Sequence, residues 1–163
     1  MKILDFPKLR QTYEYDCGAN ALQAVLAYYG IELSEEILMK DAKTNSKKGT
    51  AIKGILKTLD EFKLKYDSKS MTIKELQNYI DKKIPVFILL SAYNDFHWAV
   101  AIGYDKNKIF FDDPHSFERT FLEDKELKIK WHAKEGNKDI TNHGIAVFGK
   151  KPVYDSKKII HMG

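Results

Sequence analysis

Gln11-Thr12-Tyr13-Glu14-Tyr15-Asp16-Cys17-Gly18 runs directly into Ala19-Asn20-Ala21-Leu22-Gln23-Ala24-Val25-Leu26-Ala27-Tyr28-Tyr29-Gly30. In the second part Ala21, Leu22, Val25, Leu26 and Tyr29 recur at helical spacing, the apolar face of a buried helix. Gly30 is suited to stop it, because glycine takes the left-handed conformation just past a helix end. The first part is polar and aromatic and holds the only cysteine of the chain. Cys17 is therefore expected in the first turn of the helix. Unpaired backbone N–H groups and the positive end of the helix dipole favour a thiolate there. A nucleophilic cysteine needs that placement. A lone helical cysteine is more often a small buried apolar residue, so other groups have to decide between the two.

Downstream of Gly30, Ser34 is placed to cap a short helix running through Ile37, Leu38 and Ala42. Thr50 is expected to cap a second amphipathic helix with Ile52, Ile55, Leu56 and Leu59 on one face, although Gly54 weakens it. Leu64 to Tyr66 suits a short strand, and Thr72 with Glu75 has the spacing of a capping box that opens a helix to about Asp81. The composition then turns β-branched and bulky. Pro85-Val86-Phe87-Ile88-Leu89-Leu90 reads as a buried strand, Ser91 to Phe96 as a loop, and His97 to Tyr104 as the next strand. Asp105 to Lys108 is a turn into an antiparallel Ile109 to Asp112, ended by Asp113-Pro114. A helix over Leu122–Trp131, a loop over Gly136–His143 and a last strand over Ile145–Phe148 complete the pattern. Helices first and strands after indicate an α+β fold, a helical N-terminal half packed on a C-terminal antiparallel sheet. One domain is expected over 1–150, followed by a polar tail over 151–163 that adds little to the core.

The bulk numbers narrow the function classes. The chain has 163 residues, enough for one real core, and a net charge of 27 − 23 = +4. Its paired lysines are scattered and form no basic stripe with interleaved aromatics, so nucleic acid is not indicated as a partner. A single cysteine excludes an internal disulfide. The first residues lack the apolar core of a signal peptide, and the run from Ile84 to Leu90 is far too short to span a bilayer. A soluble protein of a reducing compartment is expected, in the cytoplasm and without membrane insertion.

Three further residues make chemistry with Cys17 conceivable. His97 opens a strand. Asp113 ends the neighbouring strand of the same hairpin, so the two side chains can meet across the ladder. Asp112 competes for that role, but strand alternation turns Asp112 and Asp113 to opposite faces. Gln11 lies six residues before Cys17. An imidazole can take the thiol proton and return it to a leaving group. A carboxylate fixes the tautomer of that imidazole, and an amide donor beside the thiol, with the Cys17 backbone N–H, holds a developing oxyanion. Each residue also has an ordinary reading: His97 as a strand boundary, Asp113 as a turn element, Gln11 as a surface amide. His115, His132, His143 and His161 show no metal-ligand spacing with Cys17 or each other, so neither a metal nor a cofactor is expected.

Taken together, the pattern resembles the papain-like cysteine peptidases that remove double-glycine leader peptides from bacteriocin precursors. Gln11 with Asp16-Cys17-Gly18, the helix ending Tyr28-Tyr29-Gly30, Gly49-Thr50 ahead of the next helix, Pro85-Val86-Phe87-Ile88, His97-Trp98-Ala99-Val100 and Asp113-Pro114 carry the resemblance. It covers roughly Lys8 to Pro114, with Ile145 to Phe148 similar to the end strand of the family. The resemblance implies a papain-like α+β fold and a cleft between the cysteine helix and the sheet. It implies Cys17 as nucleophile, His97 as general base and acid, Asp113 as the residue orienting the imidazole, and Gln11 as the oxyanion donor. In many relatives this domain begins an ATP-binding-cassette exporter, so the implied partners are a peptide or protein substrate and an exporter acting in trans. The alternatives are an acyltransferase, transpeptidase or deamidase with the same site, and a non-catalytic peptide-binding domain.

Overall fold

A run such as Val86-Phe87-Ile88-Leu89-Leu90 has no polar face, and a strand of that kind is stable only where both faces of its sheet are covered. The computed structural model, which describes residues 1–163, shows that arrangement. In chain order the elements are β1 (Lys2–Ile3), α1 (Cys17–Tyr28), α2 (Glu35–Asp41), α3 (Ile52–Glu61), β2 (Lys65–Ser70), α4 (Ile73–Asp81), β3 (Val86–Ala92), β4 (Asp95–Asp105), β5 (Lys108–Asp112), β6 (Thr120–Glu123), α5 (Asp124–Lys130), β7 (His132–Glu135), β8 (Lys138–Thr141) and β9 (His143–Phe148). The main sheet is antiparallel with order β2-β9-β3-β4-β5-β6, and β1 pairs with β4. β7 and β8 form a separate hairpin.

Alternation along β3 divides the core. Phe87 and Leu89 join Leu22, Val25 and Leu26 of α1 with Trp98, Val100 and Ile102 of β4. Val86, Ile88 and Leu90 join Leu76 and Ile80 of α4 with Leu127 of α5 on the other face. The α+β architecture, with the cysteine helix on an antiparallel sheet, is as expected. The helical cover is not confined to the N-terminal half, since α4 and α5 shield the second face.

Several local expectations need correction. The loop expected over 91–96 is a two-residue turn: β3 continues to Ala92 and pairs it with Asp95, leaving only Tyr93 and Asn94, at φ 55° and 61°. Two successive positive φ angles give the turn that matches strand twist, and so a tight hairpin. Thr50 does not cap α3. Ala51 occupies the N-cap position without a side-chain cap, while the Thr50 hydroxyl is engaged by that of Thr44 at 2.7 Å. The helix expected over 122–131 begins only at Asp124, where Glu123 and Glu126 form a reciprocal capping box, and the residues before it pair as β6 with β5. The loop expected over 136–143 is largely β8. Its hairpin buries only Ala133 and Ile140, too few for an alternating pattern to register in the sequence. The tail is tied down more firmly than its polarity suggests: the N–H groups of Val153 and Tyr154 both donate to Tyr28 O, at 3.1 and 3.2 Å.

Gly54, unfavourable in a helix by propensity, has a packing reason. A Cβ built there would lie 2.3 Å from the carbonyl oxygen of Ala42, where the end of α2 meets α3. Gly54→Ala is therefore expected to destabilise by about 1–3 kcal/mol through overpacking, against the gain of roughly 0.5–1 kcal/mol that helix propensity alone would give. Urea unfolding of the two proteins reads the sign, and a higher midpoint for the alanine variant would refute the steric account.

Candidate functional site

Two features of the chain around position 17 set the cysteine up. The first is Asp16, at the N-cap position of α1. Its carboxylate turns back to accept from Thr12 N at 2.9 Å and Tyr13 N at 3.0 Å, and makes no side-chain bond to the helix it precedes. The first-turn N–H groups of this 12-residue helix are thus left without a side-chain acceptor, and the positive end of its dipole is directed at Cys17. The second is Gly18. A Cβ there would stand 2.6 Å from Thr50 Cβ and 2.9 Å from Trp98 Cδ1, so a bare position lets α1 close onto β4 and the Thr50 loop. Trp98 locks that loop by donating Nε1–H to Thr50 O at 2.8 Å. The close approach brings the backbone N–H of Trp98 to Cys17 Sγ at 3.5 Å. Sulfur therefore receives a backbone donor from the strand and sits in the first turn of the helix.

The histidine and the carboxylate follow from register. Val100 pairs with Asp112, so one further step places Asp113 beside Ala99, on the same side as His97 and diagonal to it. His97 Nε2 and Asp113 Oδ1 are 2.7 Å apart, at residues only 7% and 4% exposed. With Nε2 bound to Asp113, Nδ1 is the ring nitrogen left for sulfur. Burial would lower the pKa of His97, but the hydrogen bond to Asp113 and then the interaction with Cys17 outweigh it, and the ring is raised to about 9. Burial likewise disfavours the charge on Asp113, yet His97, Tyr93 and the backbone N–H of His115 hold the carboxyl down at about 2. Asp112 faces elsewhere. It is fully buried and takes Arg10 Nη1 at 3.1 Å together with Arg119 Nη1. Burial, the largest influence, raises its pKa against the pull of both arginines.

Gln11 lies on the same cleft as Cys17 and His97, a cavity of about 750 Å3. Its Nε2 donates to Tyr13 O at 2.6 Å. An amide nitrogen has two protons, so one donor remains for a group in the cleft. Gln11 N–H also donates to Pro114 O at 3.0 Å, tying the amide segment to the turn that carries Asp113. The structure thus brings all four singled-out residues to one place.

Sequence reading missed the groups that hold the four in place. Tyr93, whose hydroxyl donates to Asp113 Oδ2, lies in a segment read as loop. From the sequence His115 offers only a candidate metal ligand, and its ring centroid lies 4.0 Å from that of Tyr93. Arg10 and Arg119 are the only two arginines of the chain, but nothing in their spacing points to Asp112. A two-residue hairpin reading of Tyr93-Asn94 would have revealed Tyr93, but neither residue is a glycine.

The chain matches the description "Peptidase C39 family" over residues 5–134. No curated protein matches it. Among solved structures, the peptidase domain of Streptococcus ComA, described as a bifunctional ABC transporter involved in quorum sensing, is 22% identical with a TM-score of 0.71, over 91% of this chain and 98% of that one. A double-glycine-motif protease from an AMS/PCAT transporter, solved in complex with its leader peptide, is 19% identical with a TM-score of 0.69, over 93% of this chain and 95% of that one. The peptidase domain of Streptococcus mutans ComA is 20% identical with a TM-score of 0.62, over 91% and 100%. At these identities the likeness is one of fold. No helix is long and apolar enough to cross a membrane.

The histidine and aspartate predict opposite pH behaviour. A folded pKa of about 9 against an ordinary 6.5 means that His97 contributes stability fully below pH 6.5 and loses it as pH rises through 9. A folded pKa of about 2 against 3.8 means that Asp113 contributes above pH 3.8 and loses it as pH falls through 2. Ring-proton NMR should find His97 titrating far above 6.5 and falling in Asp113→Asn; a midpoint near 6.5 in the parent would break the pairing.

Proposed function

From the premise that this chain belongs to the Peptidase C39 family and is a cysteine-type peptidase, we propose that Cys17, His97, Asp113 and Gln11 carry out the hydrolysis. The observation that carries the reading is the meeting of three groups at one cleft: Asp113 bound to His97 at 2.7 Å, the His97 ring and the Cys17 thiol lining the same cavity, and Trp98 N–H at 3.5 Å from that sulfur.

Each step follows from what these groups can do. The raised imidazole is a good acceptor for the thiol proton, which leaves a thiolate beside an imidazolium. The thiolate attacks the carbonyl carbon of the scissile bond. The charge that develops on the carbonyl oxygen meets the free Gln11 Nε2 proton and the Cys17 backbone N–H. His97 then gives its proton to the departing amine, and the C–N bond breaks. Water, deprotonated by His97, attacks the thioester and releases the acid and the thiol. Asp113 stays ionised throughout and holds the ring in one tautomer. Asp112 takes no part, because its Oδ1 is engaged by Arg10 and Arg119 and strand alternation turns its side chain to the face opposite Asp113.

The substrate we propose is a peptide with a double-glycine sequence before the scissile bond. Aromatic side chains of Tyr13, Tyr93 and Phe96 line the cleft, and such walls narrow a channel to small residues. One solved relative is the peptidase domain of an ABC transporter, and another, a double-glycine-motif protease from an AMS/PCAT transporter, holds a leader peptide. An exporter acting in trans is the partner that fits, with cleavage on the cytoplasmic side before export. An amine taking the place of water would turn the same thioester into an acyl-transfer product, and product masses with and without added amine separate the two.

Cys17→Ala should abolish cleavage of a synthetic Gly-Gly peptide while leaving peptide binding intact; equal turnover would remove the nucleophile. Gln11→Ala should lower kcat by about 10²-fold, the scale of a lost oxyanion donor. Per folded molecule, Asp113→Asn should cost far more activity than Asp112→Asn, and the reverse order would mean that the wrong carboxylate has been assigned.

A further inference from the structure

The β3–β4 turn carries an aromatic residue where such a residue is uncommon. Tyr93 has φ 55° and is followed by Asn94 at 61°. Asparagine tolerates that region well, whereas a bulky aromatic residue there is unusual and its backbone is strained. The conformation throws the side chain over the two residues that the proposed reaction relies on. The hydroxyl donates to Asp113 Oδ2, the oxygen that His97 does not use. Its ring meets the His97 ring edge-on, with centroids 5.2 Å apart at 88°, and lies 4.0 Å from the His115 ring.

Asp113 needs such a partner. Its Oδ1 is bound by His97 Nε2 at 2.7 Å and by the His115 N–H at 3.0 Å. A carboxylate held by one oxygen can still swing about its Cβ–Cγ bond, which tilts the acceptor out of the imidazole plane. Thr120 Oγ1 reaches Oδ2 only at 3.5 Å, too far to fix that plane. The Tyr93 hydroxyl is the donor that holds that side. Burial, and next the hydrogen bond to Asp113, raise its pKa above the ordinary 10, so it remains a donor throughout the working pH range.

We propose that Tyr93 is a positioning residue: its hydroxyl fixes the plane of the Asp113 carboxylate and its ring bounds the imidazole, so that the carboxylate–imidazole–thiol line is pre-set before substrate arrives. The inference rests on the catalytic reading of Cys17, His97 and Asp113. A tyrosine serving only as a cleft wall would act through its ring, and half of its surface is exposed, as a wall residue's would be. Removing the hydroxyl while keeping the ring separates these two roles.

The test needs no peptide substrate. The rate of Cys17 alkylation by iodoacetamide, followed against pH, reads how well the imidazolium supports the thiolate. It is measured for the parent, Tyr93→Phe, Asp113→Asn, the double variant and His97→Gln, each checked for parental circular dichroism. Tyr93→Phe should move the profile about one pH unit toward higher pH, the size expected for one lost hydrogen bond to a charged group. The double variant should coincide with Asp113→Asn alone, because the hydroxyl acts only through that carboxylate. A Tyr93→Phe profile superimposed on the parent's, or a shift that adds in full to that of Asp113→Asn, would overturn the inference. His97→Gln keeps the two failures apart. If it too leaves the profile unmoved, the catalytic reading falls; if it displaces the profile and Tyr93→Phe does not, only the role of Tyr93 falls.

Discussion

The contact between the first turn of α1 and the backbone of β4 governs the rest of the molecule. Position 18 has no side chain, so the helix end comes close enough for Trp98 N–H to reach Cys17 Sγ at 3.5 Å. Any larger residue would meet Thr50 and Trp98 before the sulfur met the strand. His97 is the residue before Trp98, so the same approach that gives sulfur its donor also brings the imidazole alongside. The cysteine is thus held by a helix terminus and a strand that are 81 residues apart in sequence, and only the packing of α1 on the sheet brings them together.

That packing depends in turn on the sheet being covered on both sides. α1 lies on one face and α4 and α5 on the other, which lets β3 be apolar at every position from Val86 to Leu90. Between that strand and β5, β4 is held in antiparallel register on both edges. The register then decides that Asp113, and not Asp112, faces His97. The chemistry of the site is in this sense a by-product of strand parity, and the parity is secured by the core.

The elements that were legible in the sequence are those with long or chemically explicit signals. α1 shows its helical period, α4 its Thr72–Glu75 capping box, α2 its Ser34 cap, and β3 its bulky β-branched run. The convergence of Gln11, Cys17, His97 and Asp113 was legible chiefly through resemblance, because nothing local to any one of them distinguishes it from a surface amide, a buried thiol or a turn residue. What escaped reading was short or paired at a distance. β6, β7 and β8 have four residues each, too few for alternation to stand out. The Tyr93-Asn94 turn lacks the glycine that marks most hairpins, and the Thr50 hydroxyl answers to Thr44 and not to the helix it precedes. Arg10 and Arg119 reach Asp112 from more than a hundred residues before it and from seven after it, a meeting that composition cannot foretell.

Those two arginines have an effect beyond anchoring. Asp112 and Asp113 are neighbours in the chain, and the charge on Asp113 tends to suppress ionisation of Asp112. Arg10 and Arg119 answer the first on its own side of the strand, while Arg119 also grips the carbonyl oxygens of Phe6 and Pro7. Of the two adjacent carboxylates only Asp113 therefore acts on the imidazole, together with the Cys17 sulfur, because the other is electrically answered from behind. The N-terminal segment, which touches none of the reacting atoms before Gln11, in this way sets the field in which they react.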